Sequence, residues 1–370
     1  MKNIRENKVL VIGGGLAGIV AALAAKRRGA QVTLVTNGPG TFALGGGLIR
    51  TPSKALSEIQ EAMRFFQDIT TAAGCEYKGS IREKAFLPNV TGGFQEVTFA
   101  PASLWHGRPV CGARILLVGV RGLTGFNARW MAEMLNTSAR QAGISMEYSA
   151  GEIEMPWSRQ GAFSTLDAAN WLEDERLQEQ MARMIRPLAK EQDKVLLPAV
   201  FGASMGRKEF ADFSSVIGCP VGEILTVPPS MAGMRIFQAL QRYLKKVGIE
   251  VISGYPVQSL QIENGVCTTA FLDTPGRPHP IKAQGIVVAI GRINKKTFSL
   301  KTPGFTARAL SQDVFFANES LQLLDEKKIP LATNVYGAGH MLEENACKTG
   351  NAFAILTGYQ AGLLAAGEAR

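Results

Sequence analysis

The sequence predicts a two-domain α/β protein, in which a parallel-sheet domain at 1–75 and 230–370 is interrupted by a smaller α/β domain at 76–229. The chain of 370 residues is longer than one hydrophobic core usually supports. Strand-like apolar runs alternate with helical patterns, which is typical of parallel sheets. The 40 glycines exceed the usual share of about 7% and favour tight turns and close approach of the backbone to a ligand.

The first strand–helix–strand unit lies near the start of the sequence. Residues 8–12 (KVLVI) predict a buried strand, and an alanine-rich helical pattern follows a run of glycines and ends at Gly29. Residues 31–36 (QVTLVT) predict the second strand. Because such a crossover joins parallel strands, this unit begins a parallel sheet. A glycine-rich loop at 37–47 and a helix at about 53–68 follow.

The middle of the chain has α/β patterning of its own. Residues 80–114 are predicted to be irregular, since they contain scattered prolines. Residues 115–120 (ILLVGV) and 194–201 (KVLLPAVF) predict buried strands, and 126–142 and 170–191 predict helices. This alternation predicts an inserted domain with its own core.

The last third of the sequence returns to the first domain. Asn264-Gly265 lies between two strand-like runs and predicts a tight hairpin turn. The other predicted elements are helices at 233–247 and 350–368 and strands at 249–252, 286–290 and 335–336.

The string Gly13-x-Gly15-x-x-Gly18 predicts a dinucleotide site at the end of the first strand. The first glycine makes the tight turn, the second lets a pyrophosphate approach the backbone, and the third lets helix and strand pack closely. The helix N-terminus favours the negative charge of the phosphates. The alternative is a vestigial turn in a non-catalytic structural subunit. The candidate cofactor-binding residues of this string are Gly13, Gly14, Gly15, Leu16, Ala17 and Gly18.

A threonine stands where a ribose-binding acid is expected. An Asp or Glu normally ends the second strand of this type of unit, but the sequence has Thr36 there. A hydroxyl bonds a ribose less strongly than a carboxylate does. NADP is disfavoured, because the next arginine is Arg50. We expect Thr36 to contact the cofactor and the adenosine end to be held loosely.

The order of the later elements resembles that of two-domain flavoproteins with an N-terminal FAD fingerprint. The glycine-rich loop and the long insertion are followed by strands that end at Ala289-Ile290-Gly291 and Gly337-Ala338-Gly339. This resemblance implies one non-covalent flavin: FAD is favoured by the pyrophosphate turn, and FMN is left open by Thr36. An NAD-dependent dehydrogenase is the alternative. The further cofactor contacts that the resemblance implies are Gly45, Gly46, Gly47, Val257, Ala289, Gly291 and Gly339.

Several segments resemble the B subunit of anaerobic glycerol-3-phosphate dehydrogenase. They are the opening VLVIGGGLAGIVAALAAKRRGAQVTLVT, 114–126 (RILLVGVRGLTGF), 193–202 (DKVLLPAVFG) and 228–235 (PPSMAGMR). The resemblance implies a flavoprotein that works with a second flavoprotein subunit and an iron–sulfur subunit that meets the quinone pool. It also implies glycerol 3-phosphate as electron donor and glycerone phosphate as product. The segment 339–346 lacks the run of glycines expected there, which leaves another donor open.

Few side chains are candidates for catalysis, as expected when a flavin carries the redox chemistry. His340 follows the late glycine turn and is a candidate proton donor or hydrogen bonder at the flavin; the alternative is a solvated loop residue. Arg235 is a candidate clamp for a phosphate or carboxylate, and a salt bridge on its helix is the alternative. His106, between Trp105 and Arg108, is a weaker candidate.

The composition favours a cytoplasmic location and does not favour nucleic acid as a partner. The net charge of +9 is scattered in short basic groups rather than in a tract. The five cysteines include no CxxC pair, so we expect a reducing compartment, no metal site, and electrons that leave through another protein. No apolar run approaches the roughly 20 residues of a bilayer span, so we expect contact with the inner face of the membrane only through a partner subunit.

Overall fold

The computed structural model describes residues 7–51, 56–203, 205–291, 315–325, 327–342 and 350–367. The chain forms two compact units. The first contains 1–41, 52–69 and 240–370, and the second contains 42–51 and 70–239. Residues 42–47 of the glycine-rich loop at 37–47, which the sequence prediction places in the first domain, therefore belong to the second unit. One of the five cysteines, Cys347, lies outside the described residues.

The regular elements of the described residues follow the predicted alternation of strands and helices. In chain order, the strands are β1 (Lys8–Ile12), β2 (Gln31–Thr36), β3 (Tyr77–Gly79), β4 (Ala85–Pro88), β5 (Phe94–Val97), β6 (Phe99–Pro101), β7 (Arg114–Val120), β8 (Glu147–Ile153), β9 (Lys194–Pro198), β10 (Val221–Ile224), β11 (Glu250–Ser253), β12 (Val257–Glu263), β13 (Val266–Leu272), β14 (His279–Lys282), β15 (Gly285–Val288) and β16 (Val335–Gly337). The helices are α1 (Leu16–Arg27), α2 (Leu56–Ala72), α3 (Ala102–Trp105), α4 (Ala128–Gln141), α5 (Thr165–Trp171), α6 (Glu175–Ile185), α7 (Arg207–Ile217), α8 (Met231–Lys246) and α9 (Asn351–Ala366). Short 3₁₀ helices lie at Thr41–Ala43, Pro156–Gln160 and Gly339–Met341.

The main sheet of the first unit is parallel, with the strand order β11-β2-β1-β15-β16. In β1, Val9 pairs in register with Val32 of β2 and with Gly285 of β15. Residues Val9 to Ile12 are buried, as expected for a strand covered on both faces. The predicted α/β class with a parallel sheet is confirmed.

Helices α1 and α9 of the first unit pack closely through small residues. A Cβ on Gly358 would overlap the backbone of Ala17, and one on Gly362 would overlap the backbone of Ala21. Only glycine allows this separation of the two helices. The packing of α9 therefore fixes the first turn of α1, which follows the glycine string.

An antiparallel sheet of strands β12, β13 and β14 completes the described sheets of the first unit. Between β12 and β13, Asn264 has φ 50° and Gly265 has φ 73°. Two left-handed residues in succession are what a tight hairpin turn requires, and they explain the Asn-Gly signal in the sequence.

The second unit contains another parallel sheet, with the strand order β10-β9-β7-β8. Successive residues of β7 point to opposite faces. Leu116 and Val118 pack in a cluster with Met181 of α6, whereas Leu117 packs in a second cluster with Met131 of α4. Helices thus cover both faces of this sheet, which is why its strands read as unbroken apolar runs.

Two parts of the second unit differ from the sequence prediction. Residues 80–114, predicted to be irregular, contain β4, β5, β6 and α3, which are too short to show a clear hydrophobic period. Residues 170–191, predicted as one helix, are divided between α5 and α6. The carboxylate of Asp174 accepts a hydrogen bond from the N–H of Arg176 at 2.9 Å and caps α6, so a new helix begins there.

Candidate functional site

The glycine string forms a tight turn between β1 and α1 in the first unit. Gly13 has φ 119°, and a Cβ there would overlap the carbonyl oxygen of Ala289, which follows β15. A Cβ on Gly18 would overlap the carbonyl oxygen of Gly13. Both glycines are therefore required by contacts inside the protein, as expected for the first and third positions of a dinucleotide turn.

Gly15 is different, because nothing in the described protein requires a glycine there. Its φ of −75° suits any residue, and an added Cβ would meet no atom closer than the Cα of Gly40 at 3.8 Å. Gly15 is the N-cap of α1, has no side chain to cap the helix, and is followed by no acidic residue in the first turn. The amide groups at this end are thus available to an anion. This geometry fits the pyrophosphate of a dinucleotide.

Thr36 lies beside Gly14 at the end of β2. A Cβ on Gly14 would overlap the Thr36 side chain, so the turn and the strand end are in close contact. The Thr36 hydroxyl donates to the carbonyl oxygen of Gly38 at 2.8 Å and accepts from the N–H of Gly38 at 3.2 Å. The hydroxyl can therefore only accept a further hydrogen bond, from a ribose O–H for example.

Two later segments of the first unit meet the first turn of α1. The N–H of Ala289 donates to the carbonyl of Ile12 at 2.7 Å, which carries the chain after β15 to the glycine turn. Gly339 has φ 77°, and a Cβ there would lie 2.8 Å from the Cβ of Ala17. Its N–H donates to the Thr357 hydroxyl at 2.9 Å. The structure thus brings predicted residues from three distant parts of the sequence to one helix end.

Gly291 and Val257 occupy other positions in the first unit. Gly291 is half-buried, has φ 72° and lies two residues beyond Ala289. Val257 is the buried first residue of β12 and packs in the core cluster that also contains Ile12 and Val35. Leu16 and Ala17 are buried in the first turn of α1, so their contribution to a ligand comes from the backbone.

His340 accepts a hydrogen bond within the first unit. Its Nε2 accepts from the N–H of Gly350, the N-cap of α9, at 3.2 Å. An accepting Nε2 places the proton of a neutral ring on Nδ1. This contact gives the residue a structural role at the start of α9, and its contact with the flavin stays a prediction.

The loop with Gly45, Gly46 and Gly47 lies in the second unit. A Cβ on Gly233, in the first turn of α8, would overlap the carbonyl of Gly45, and a Cβ on Gly46 would overlap the Leu225 side chain. The Tyr77 hydroxyl donates to the carbonyl of Gly47 at 2.9 Å. The contact with Leu225 explains Gly46 by packing. The predicted contact of all three glycines with the flavin remains untested.

Arg235 is held in an ion pair inside the second unit. It is 5% exposed; its Nη2 forms an ion pair with Glu223 and donates to the Ser103 hydroxyl at 3.1 Å. Its Nη1 donates to the carbonyl of Phe201 at 2.7 Å. The guanidinium is therefore paired within the protein. This arrangement corresponds to the salt-bridge alternative and not to the predicted clamp on a substrate. Its carboxylate partner, Glu223, lies on β10 and not on the helix that carries Arg235.

Sequence reasoning missed several polar residues of the second unit. Glu223 is 1% exposed; a single acid within the apolar strand VGEI is a signal that could have identified it. The hydroxyls of Thr226 and Ser230 are buried and have no hydrogen-bond partner among the described residues. Such groups are satisfied when a ligand or water reaches them. Ser230 lies directly before α8, and its N–H donates to the carbonyl of Leu44 at 2.9 Å.

The parallel sheet, the glycine turn and the uncapped helix end define a dinucleotide-binding oxidoreductase of the flavoprotein class. A family model described as "FAD binding domain" matches residues 8–77, 54–244 and 232–319. The chain belongs to this family, and it is a flavin-dependent oxidoreductase with FAD as cofactor. FMN, an NAD-dependent dehydrogenase and a non-catalytic subunit are thereby set aside.

Curated relatives extend over most of the chain. A protein of Halobacterium salinarum (strain R1), named as the probable B subunit of an anaerobic glycerol-3-phosphate dehydrogenase, is 26% identical, and the alignment covers 98% of each chain. The protein of Actinobacillus pleuropneumoniae serotype 5b that is named as the B subunit of the same enzyme is 22% identical and covers 76% of this chain and 74% of its own length. The resemblance to the B subunit is confirmed.

The solved structures of two dehydrogenases are similar to this chain at low sequence identity. L-proline dehydrogenase from P. horikoshii is 13% identical with a TM-score of 0.32, and the match covers 78% of this chain and 53% of that chain. 3-Ketosteroid delta1-dehydrogenase from Sterolibacterium denitrificans is 14% identical with a TM-score of 0.32, covering 77% and 48%.

The described residues contain neither a helix that could span a membrane nor a cluster that could hold a metal ion. None of the helices in this part of the chain is both long and apolar enough to cross a bilayer. Within the same residues, no group of three or more His, Cys, Asp or Glu side chains is arranged to hold a metal ion.

Proposed function

We propose that this chain is a flavoprotein component of a respiratory dehydrogenase that oxidises glycerol 3-phosphate to glycerone phosphate. Its partners in this proposal are a second flavoprotein subunit and an iron–sulfur subunit, through which electrons pass to quinone. The single observation that supports it most is the match to the Halobacterium salinarum protein over 98% of both chains. A match of that extent includes the inserted segment as well as the nucleotide turn.

The residues of the first unit hold the cofactor in this proposal. The backbone at Gly13, Gly14 and Gly15 and the first amides of α1, at Leu16 and Ala17, bind the pyrophosphate. Thr36 accepts from the ribose, and Gly18 keeps α1 close to β1. Further contacts in this unit are proposed for Val257, Ala289, Gly291 and Gly339, and the flavin contact of Gly45, Gly46 and Gly47 stays a prediction.

Oxidation of the donor's secondary alcohol to a ketone removes two electrons and two protons, and FAD when bound accepts the electron pair. His340 is proposed to hold a hydrogen bond or a proton at the edge of the ring, provided that its contact with Gly350 opens. Arg235 acts by positioning: its ion pair with Glu223 ties α8 to β10.

The excess of basic residues supports docking to other subunits. The net charge of +9 would accelerate association with an acidic partner, which fits a protein that acts within a complex. We propose a cytoplasmic location at the inner face of the membrane, with membrane contact made by the partner.

The test is to express the full chain alone and together with its two proposed partner subunits. The chain alone should carry FAD, identified by its absorbance and by chromatography after acid release, and should show little transfer from glycerol 3-phosphate to quinone. Transfer should appear in the co-purified complex. Efficient quinone reduction by the isolated chain would refute the proposal that it works as one subunit of several. A complex that reduces quinone with another donor and ignores glycerol 3-phosphate would refute the substrate alone.

A further inference from the structure

Four basic side chains of the second unit meet at the turn that follows α3. We call them the basic cluster: Lys78 of β3, His106 and Arg108 of the turn, and Lys194, the first residue of β9. His106 and Arg108 are exposed, and the two lysines are half-buried. Neither the dinucleotide turn nor the proposed function uses any of them.

Direct contacts fix Lys194, Arg108 and the turn that carries His106. The Lys194 ammonium donates to the backbone carbonyl of Arg108 at 3.1 Å, so this lysine lies against the turn. The Arg108 guanidinium stacks over the buried Trp105 ring, 4.4 Å from its centroid. The N–H of His106 donates to the carbonyl of Ala102 at 3.0 Å, which closes the turn. The arginine and the turn are therefore held in place before any ligand binds.

The strand that carries Lys78 is fastened to the same turn. Lys78 stands opposite Ala100 in the β3–β6 pair, and β6 leads directly into α3. The carbonyl of Glu76, just before β3, accepts from the N–H of Ala102 at 2.8 Å. Lys78 thus approaches the turn from one side, and Lys194 approaches it from β9.

The charge of the basic cluster is only partly balanced. Among the described residues, the carboxylate whose charge acts on His106 is Glu76. Glu76 already pairs with Lys78, and its other oxygen lies 3.8 Å from the Nε of Arg207. Arg108 and Lys194 therefore have no carboxylate of their own in this part of the structure.

The unbalanced charge also affects the two titrating groups. Although His106 as a whole residue is exposed, partial desolvation of its ring lowers its pKa. The positive charges of Lys194, Lys78 and Arg108 lower it further, and Glu76 acts in the opposite direction. Burial and the charge of Arg108 lower the pKa of Lys194. An anion among these groups would relieve the repulsion and raise both pKa values.

We propose that the basic cluster is a binding site for a phosphate-type oxyanion, either inorganic phosphate or the phosphate group of a small ester. A stacked guanidinium suits bidentate binding of such a group, and the lysines add point charges. A protonated His106 adds one more donor. The site goes beyond the proposed function, since it would exist whatever the electron donor is.

The chain has three histidines, so NMR can follow each of them. The full-length holoprotein, labelled at histidine, is titrated with acid in sodium chloride, in inorganic phosphate and in glycerol 3-phosphate at equal ionic strength. His106→Gln assigns the resonance. We expect either phosphate compound to raise the pKa of His106 by about one unit, and the signals of His279 and His340 serve as internal controls. A larger effect of glycerol 3-phosphate would identify an ester as the ligand, and equal effects would identify the free oxyanion.

Matched variants test whether the basic cluster is responsible. Lys194→Met and Arg108→Met should abolish most of the phosphate-dependent change in the pKa of His106, whereas Lys245→Met, on α8, should leave it intact. Circular dichroism and thermal unfolding check that each variant is folded. The proposal is overturned if phosphate and chloride give the same His106 titration, or if Lys245→Met removes the effect as fully as Lys194→Met.

Discussion

Gly18 lies directly over the carbonyl oxygen of Gly13, so closely that a single methyl group on Gly18 would overlap that oxygen. This contact holds the start of α1 against the end of β1. Gly15 lies between them in the sequence, but an added Cβ there would meet no atom closer than the Cα of Gly40 at 3.8 Å. Two glycines of the string are therefore required by contacts within the protein, whereas no described contact requires the third, Gly15.

Gly15→Ala should separate cofactor binding from folding. The new methyl group meets no protein atom closer than 3.8 Å, so unfolding should change by no more than about 1 kcal/mol. The methyl group would occupy the space of the pyrophosphate, so FAD affinity should fall at least about tenfold, roughly 1.4 kcal/mol. Fluorescence titration of the apoprotein with FAD and urea unfolding measure the two effects.

Gly18→Ala is the contrasting variant and should damage the fold itself. Its methyl group overlaps a backbone oxygen that has no freedom to move, so we expect a loss of about 3 kcal/mol or more in unfolding free energy. Equal stability of the Gly15→Ala and Gly18→Ala proteins would contradict this difference between the two glycines.

Thr36→Val should weaken FAD binding modestly. The change removes the Thr36 hydroxyl, the acceptor proposed for the ribose, and we expect a three- to tenfold loss of FAD affinity, about 1 kcal/mol. Added FMN, which lacks the adenosine ribose, should bind the apoprotein equally well before and after the change. Thr33→Val is the matched control on the same strand, where the hydroxyl donates to Glu250 at 2.9 Å. An equal loss of FAD affinity in both variants would refute a ribose contact by Thr36.

Arg235→Met should destabilise the second unit strongly. It leaves the buried Glu223 carboxylate without its ion-pair partner, which typically costs about 3–5 kcal/mol. The double variant Arg235→Met/Glu223→Leu should recover much of that loss in urea unfolding. Arg183→Met breaks an exposed pair with Glu179 and should cost at most about 0.5 kcal/mol. If Arg235→Met unfolds like the wild type but loses only substrate affinity, the clamp interpretation is right instead.

Ionisation of Tyr359 should lower the unfolding free energy of the protein as the pH rises above about 10. Burial, and then the hydrogen bond to Glu61 at 2.7 Å and the charge of that carboxylate, raise its pKa to about 12. The unfolded chain loses this proton near pH 10 and the folded chain near pH 12, so unfolding free energy falls as pH rises between them. Urea unfolding of Tyr359→Phe across this range should show a smaller decline. If the unfolding free energy of Tyr359→Phe falls as steeply as that of the wild type, other groups cause the decline. As a second test, Glu61→Gln should lower the pKa of Tyr359, because it removes the charge of the neighbouring carboxylate.

The parts of the molecule that the sequence predicted are those governed by local patterns. The β1–α1–β2 unit combines an apolar run, a glycine string and an alanine-rich helix, and each signal is local. The Asn264-Gly265 turn is similar, because its two left-handed residues select these amino acids.

The parts that the sequence did not predict depend on partners far along the chain. The helix α7 went unpredicted. The strand that follows it, β10, also went unpredicted, because its apolar run is only four residues long and includes Glu223. That carboxylate is tolerated in the core only because Arg235 meets it from α8. Likewise, the pairing of His340 with Gly350 follows from how α9 begins, which no spacing motif describes.

The strand order of the first unit determines the order in which the two units can fold during synthesis. β1 precedes the other described strands in the chain, yet its neighbour β15 and the edge strand β11 come after all four parallel strands of the second unit. The parallel strands of the second unit all lie between Arg114 and Ile224 and need no later residues to complete their sheet. Since long-range strand pairing must wait for its partner to leave the ribosome, the unit that is begun first is expected to be finished last.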